Sequence, residues 1–460
     1  MKKLLVILLA VLMLVSVAAC GGGSGGGSSA PPAGGNDAPP AGGNDAPPAG
    51  SDDATTLTFW TFVHSHIDYL QAVAEIWNAQ NPDRKIVLDA QEVPWGTIWE
   101  NLQMALTTGS GAPDIIDIEI NQATQYLSVP NPPLLPQNKA LEEYLPYLVM
   151  ARVDPYTVNG NIYGVCYHIG AVLMFYNQSL FDQAGLDWRD IVTWDDFISM
   201  GKEMKDKTGA WMTMMDSNLF GFDPLVAQQH SQYIVNNLPE VNTPEAIRAL
   251  QLMQDMVYVH EMARIMPGYA LDSEEHYAAF NNGEGAALWA PAWFLGRFIN
   301  QMPDLAGKIS VGPLPVFTAG NNRSSSAGGT MTAVTNQVDP DKADLALDFV
   351  AFAKASYEGA LLQWTLLGFD PVRWDVFDDP AMTGPSPAVD YFGADFAEQF
   401  FALLYDIQAE TAAIDADQPN QFEIREYLIQ YVMPNVLRED NSSAKDALDD
   451  AQAKLMAELS

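Results

Sequence analysis

The chain has 460 residues, with 58 Asp and Glu against 22 Lys and Arg and a formal net charge of −36 at pH 7. That balance excludes nucleic-acid binding, which needs clustered cations to displace counterions, and it disfavours an acidic ligand. The length exceeds what one hydrophobic core usually holds, so two lobes are expected.

The chain opens on Lys2-Lys3, an apolar run over 4–15, and Val17-Ala18-Ala19 before Cys20. A charged start, an apolar stretch too short to span a bilayer and a small-residue cleavage point make residues 1–19 a signal peptide. A cysteine directly after them resembles the lipobox of bacterial lipoproteins, in which the thiol is acylated, so Cys20 is the expected lipid anchor. Residues 20–54 then carry Gly and Ser, followed by Ala-Pro-Pro-Ala-Gly-Gly-Asn-Asp at 30–37 and again at 38–45. Such a tract has no apolar surface to offset its chain entropy and reads as a disordered tether with a mean reach of about 30 Å. With Cys20 acylated, Cys166 has no partner, so no disulfide is expected and Cys166 reads as a small buried hydrophobe.

In the domain that follows, 57–62 reads as a strand. Ile67, Leu70, Val73, Ala74 and Trp77 then set a helix over 66–80 that ends before Asn81-Pro82. A second strand over 86–93, a second helix over 97–107 and a third strand over 114–120 complete an alternation that predicts a parallel sheet. A strand is expected over 172–177, and Thr193 as the cap of a helix reaching Lys207. Further helices are expected over 244–259, after Asp339-Pro340, over 423–437 and over 443–459. The expected class is α/β, with two lobes, each a mostly parallel sheet flanked by helices.

Several segments, in order, resemble extracellular solute-binding protein family 1, the sugar receptors of ATP-binding-cassette importers. They are Leu57-Thr58-Phe59-Trp60, Pro113-Asp114-Ile115-Ile116, Tyr163-Gly164-Val165 with Phe175-Tyr176-Asn177, and Phe181-Asp182-Gln183-Ala184-Gly185-Leu186 with Thr193-Trp194-Asp195-Asp196-Phe197. The stretch from Phe280 to Trp293, Gly328-Gly329, and Gly368 to Pro371 complete the series. The resemblance implies a type II periplasmic-binding-protein-like fold that closes on a sugar about a hinge. It places 55–168 with 315–371 in one lobe and 169–314 with 372–460 in the other, with crossings near 168–172 and 311–315.

A sugar ring offers C–H faces that Trp and Tyr pack and a rim of hydroxyls that Asp, Glu, Asn and Gln bind. Ligands of open α/β sheets sit beyond the carboxyl ends of the strands. Trp60 and His64 follow the first strand there, and Glu119, Asn121 and Gln122 end the third. By resemblance, Trp60 and His64 fall near sugar-touching positions of the maltodextrin-binding branch, and Asn121-Gln122 replace an Asp-Arg pair of that branch. The resemblance further implies ligand contacts from Trp211, Asp216 and Asn218, and from Trp293 as a stacking tryptophan. Gly328-Gly329 can bring backbone N–H groups close to a ligand, Trp364 and Arg373 lie on the other lobe's rim near the second crossing, and by resemblance Tyr427 aligns with another stacking ring. Within the family, 277–335 reads closest to receptors for plant-derived or arabinose-containing oligosaccharides.

Asp117 and Glu119 sit two apart on one strand, roughly 7 Å from each other, within the range of an inverting glycosidase pair. Such a pair must flank a scissile bond from both sides, which one strand cannot do. The domain over 55–460 carries no Gly-x-Ser-x-Gly elbow, no His-Glu-x-x-His and no phosphate loop. No enzyme and no cofactor is therefore expected, and His64 with His66 lacks the further ligands a metal needs. The expected function is an extracytoplasmic, lipid-anchored, monomeric receptor that hands a sugar to permease subunits of an ATP-binding-cassette importer. A receptor for a non-sugar solute and an envelope adhesin are the alternatives.

Overall fold

The computed structural model describes residues 54–411 and 418–459; the signal peptide and Cys20 lie outside the described residues. Among the described residues no helix is long and apolar enough to cross a membrane.

Strand β1 (Thr55–Thr61) buries Leu57 and Phe59, two residues apart, and pairs in parallel with β2 (Ile86–Glu92) and β3 (Ile115–Glu119). Helices α1 (His64–Gln80) and α2 (Trp95–Thr108) connect them, and α3 (Ile120–Leu127) leaves β3 directly. Strand three is one residue shorter than expected at its far end. Glu119 accepts the Asn121 N–H as an N-cap, so Ile120 is already helical.

The chain then forms β4 (Val165–Cys166), after which β5 (Val172–Asn177), β6 (Trp211–Met215), β7 (Ala263–Ile265), β8 (Gly285–Pro291) and β9 (Ile309–Gly312) build a second sheet. Strand β10 (Thr330–Val334) returns to the first. The orders are β2-β1-β3-β10-β4 and β7-β6-β8-β5-β9. In each sheet only the fourth strand is antiparallel. That strand is also the first one after a passage between the sheets, so it enters where the parallel strands finish. Both sheets therefore turn their carboxyl edges toward the passages, the arrangement in which a ligand is held between them.

Three chain segments make the passages and are hydrogen-bonded side by side. Val172 N donates to Ser325 O and Ala327 N to Gly170 O, while Ile169 N donates to Asp370 O. The return passage differs from the expected 311–315. Residues after β9 stay with the second sheet, where Leu314 N bonds Arg323 O and Gln228 Nε2 bonds Pro315 O and Asn322 O. The crossing falls instead at 324–329.

Each sheet buries apolar side chains on both faces. In β5, Val172, Met174 and Tyr176 enter one core while Leu173 and Phe175 enter the other. Helix α4 (Trp194–Thr208) starts on a capping box between Thr193 and Asp196, as its sequence suggests. Next come α5 (Leu219–Ala227), α6 (Pro244–Tyr258), α7 (Pro340–Ala355), α8 (Tyr357–Thr365) and α9 (Ala394–Ile407). The expected helix over 423–437 is α10 (Gln421–Tyr427) followed by two wide π turns over 428–432 and 434–438. Pro434 has no N–H to continue an α ladder, which accounts for the break. The chain ends on α11 (Ala444–Leu459), packed on α6.

Candidate ligand-binding site

The first sheet's carboxyl edge carries Glu119, whose Oε2 accepts Asn121 N at 2.8 Å and whose Oε1 accepts Asn121 Nδ2 at 2.9 Å. Burial pushes this carboxyl up to about 7, against the downward pull of the Asn121 amide and the Arg425 guanidinium. Gln122 follows on the first turn of α3, accepting from Gln125 Nε2. Beside them Ile120 N bonds Gly329 O at 2.8 Å. Gly329 has φ +142, and a Cβ there would meet Tyr156 OH at 2.9 Å and overlap the Arg152 guanidinium. Arg152 itself holds the turn, donating to Gly328 O at 2.6 Å and Ser326 Oγ at 3.1 Å.

From the second sheet, Trp293 follows the carboxyl end of β8. It is half-buried and donates Nε1–H to Ala327 O at 3.2 Å, so its ring lies against the same glycine turn. Phe220 meets it edge-on at 5.9 Å. The structure thus brings Glu119, Asn121, Gln122, Gly329 and Trp293 together around 327–329. A wall of hydrogen-bonding groups on one sheet and an aromatic face on the other is what a sugar ring needs.

Arg425, on α10, donates Nη1–H to Asp223 Oδ2 and to Tyr233 OH, both at 2.7 Å. Its charge acts on Glu119, although the two form no ion pair. Sequence reasoning did not single out Arg425 because only the fold brings 119 and 425 close. Tyr269, also missed, is an exposed ring at φ +65 on the second sheet's lip, with Arg438 4.3 Å above it.

Other candidates lie elsewhere. Trp60 is half-buried and packs on the first sheet's core, while His64 is exposed beside it with Nδ1 3.1 Å from Glu92 Oε2. Asp216 is buried, accepts Asn218 N and Leu271 N, and is pushed by burial up to about 6; it braces the start of α5. Asn218 Nδ2 lies 3.5 Å from Tyr269 O. Trp211 opens β6 at its amino end, away from the cleft edge, under Lys205 Nζ.

Two rim assignments do not hold. Trp364 is 0 % exposed, stacked on Phe400 at 5.5 Å, with Nε1–H donated to Met382 O; it belongs to the core of the second lobe. Arg373 is buried too, held by Asp375 and Ala355 O and lying over Tyr147, so it fastens the third passage. Tyr427 sits against Tyr431 at 4.9 Å and beside Lys454 of α11.

The carboxylate pair on β3 also separates. Asp117 is fully buried and accepts from Thr61 Oγ1, Tyr167 OH and Thr332 Oγ1, with His66 Nδ1 at 2.8 Å. All its capacity is used inside the first lobe, leaving Glu119 alone at the edge. Cys166 is buried, with Sγ against Arg152 O and Tyr156 OH, as its apolar surroundings suggest. Among the described residues no group of His, Cys, Asp and Glu is placed to hold a metal.

Residues 64–356 match the bacterial extracellular solute-binding protein family. The chain is 39% identical over 409 residues to an arabinooligosaccharide-binding protein of Halalkalibacterium halodurans, covering 88% of this chain and 90% of that one. It is 35% identical over 403 residues to an arabinooligosaccharide-binding protein of Bacillus subtilis, covering 87% and 92%. Among solved structures it resembles maltose-bound MalE3 of T. maritima, with TM-score 0.70, 21% identity, and coverage of 88% of this chain and 100% of that one. This neighbour shares the two-lobed α/β fold. The chain therefore belongs to the bacterial extracellular solute-binding proteins, extracytoplasmic receptors rather than enzymes.

Proposed function

We propose that this protein is the receptor of an ATP-binding-cassette importer for arabinose-containing oligosaccharides. The observation that carries the reading is that Trp293 of the second sheet bonds Ala327 O while Ile120, between Glu119 and Asn121 of the first, bonds Gly329 O, so both flank one turn. An apolar ring and a hydrogen-bonding edge on opposite sheets suit a ligand that bridges both. The two relatives named for arabinooligosaccharide binding, each similar over most of its length, support the sugar class.

Binding then shifts the two lobes, divided at the three passages, toward the closed form, and the closed form docks on permease subunits. Glu119, Asn121, Gln122, Trp293 and Gly329 form the central contacts in this reading. Cys20 carries the acyl anchor and the tract after it is the tether, supported by the signal-like leader; the receptor acts as a monomer.

Tryptophan fluorescence of the purified protein, titrated with arabino-, xylo- and maltooligosaccharides, tests this. A saturable change with the arabinose series, weakened in Trp293→Ala that still melts cooperatively, supports the reading. A response to maltooligosaccharides alone, or to none, rejects it. Mass spectrometry of the membrane-extracted protein checks the lipid on Cys20.

A further inference from the structure

On the first sheet's carboxyl edge, beyond Trp60, three rings project from two adjoining corners. Phe62 follows β1, and Trp95 and Trp99 stand on the first turns of α2, after β2. Phe62 meets Trp95 edge-on at 4.9 Å and Trp99 at 5.5 Å, and the two tryptophans are 5.1 Å apart. Trp95 is nevertheless 48% exposed at the tip of a well-packed cluster. A ring of that size left in water, on rigid neighbours, is a surface made for a partner.

The polar groups next to it narrow the chemistry. His64 Nδ1 lies 3.1 Å from Glu92 Oε2, and both side chains are open to solvent on the same edge. Trp99 Nε1 is enclosed and has no acceptor among the described residues. An aromatic platform bordered by a carboxylate and an imidazole repeats the pattern around Trp293, an apolar face with hydroxyl partners at its rim.

Its position sets the occupant. Glu119 ends β3, β1 is the next strand and β2 the one after, so the platform stands about 10 Å along the edge from Glu119. That is farther than one sugar ring reaches. We propose that Phe62, Trp95 and Trp99, with His64 and Glu92, form an outer subsite for the terminal ring of an oligosaccharide whose inner rings lie at Glu119 and Trp293. The subsite makes the receptor select for chain length. This rests on the sugar-receptor reading above.

Calorimetric titration of wild type, Trp95→Ala and Trp95→Phe with the arabinose disaccharide, trisaccharide and tetrasaccharide tests it. Wild type is expected to bind the longer chains more tightly. Trp95→Ala should lose about tenfold in affinity for them and leave the disaccharide within about twofold, while Trp95→Phe restores most of the loss. Equal losses at every length, or none at any length, overturn the subsite and leave the receptor reading standing. No binding of any chain by wild type overturns both. Trp95 is exposed, so misfolding does not confuse the result, and a melting curve for each variant verifies it.

Discussion

Thr124 Oγ1 donates to Gln421 Oε1 at 3.3 Å and so ties α3, at the first sheet's edge, to α10, which packs on the second sheet. It is a direct bond between the two halves. One such bond contributes about 0.5–1.5 kcal/mol net. If closure carries binding, Gln421→Ala raises the Kd by about two- to tenfold, by lowering the closed fraction. Small-angle scattering of the ligand-free variant should show a larger radius of gyration than wild type. An unchanged radius and Kd would mean that this bond does not bear on closure.

Glu119 gives a pH signature. Burial raises its carboxyl from 4.5 in the unfolded chain to about 7, so the folded state favours the protonated form. That contribution is complete below the unfolded value and is lost as pH rises through the folded one. Glu119→Gln keeps a neutral group of the same shape. Its stability relative to wild type should increase between pH 4.5 and 7, by about 2 kcal/mol given the partial exposure of the site. Buried His66, His168 and His276 act with the opposite sign below their unfolded value, because burial holds each of them lower. The difference between variant and wild type removes their contribution. Urea titrations at several pH values provide the comparison, and a gap that stays constant with pH contradicts the assignment.

Two tryptophans should part company. Trp364→Ala empties a fully buried site and strands the Met382 carbonyl, costing about 3–5 kcal/mol of stability. Trp293→Ala loses one partly shielded ring, so its main effect is on affinity. Urea melts and ligand titrations of both variants separate the roles.

Gly329→Ala tests the glycine turn beside Trp293. At φ +142, with Arg152 and Tyr156 occupying the space of a Cβ, alanine should destabilise by more than about 1 kcal/mol. It also pushes on the Ile120–Gly329 bond and so on the start of α3, lowering affinity as well. A variant that melts and binds like wild type would show that the turn tolerates the shift.

Local pattern made the scaffold legible. The apolar spacing of 67–77 and the Thr193 cap found their helices within two residues, because those signals lie within a few positions of each other. The acids of β3 were recognisable as needing partners, but nothing local says that Asp117 meets His66, Tyr167 and Thr332 while Glu119 stays at the edge. Arg425 escaped notice for the same reason, three hundred residues from the carboxylate it influences. Trp364 was misplaced because a tryptophan beside a crossing segment reads equally as rim or core. Only the packing of α8 on α9 decides for core. The return passage was set too early because 313–323 is irregular chain whose attachment to Gln228 has no sequence signature.

Hydrogen exchange of the receptor with and without an arabinose oligosaccharide reads directly whether one ligand engages both sheets. Protection is expected at 119–124, around Trp293 and at 327–329, on both sheets at once. Binding with protection on one sheet only, or away from these three segments, would contradict it.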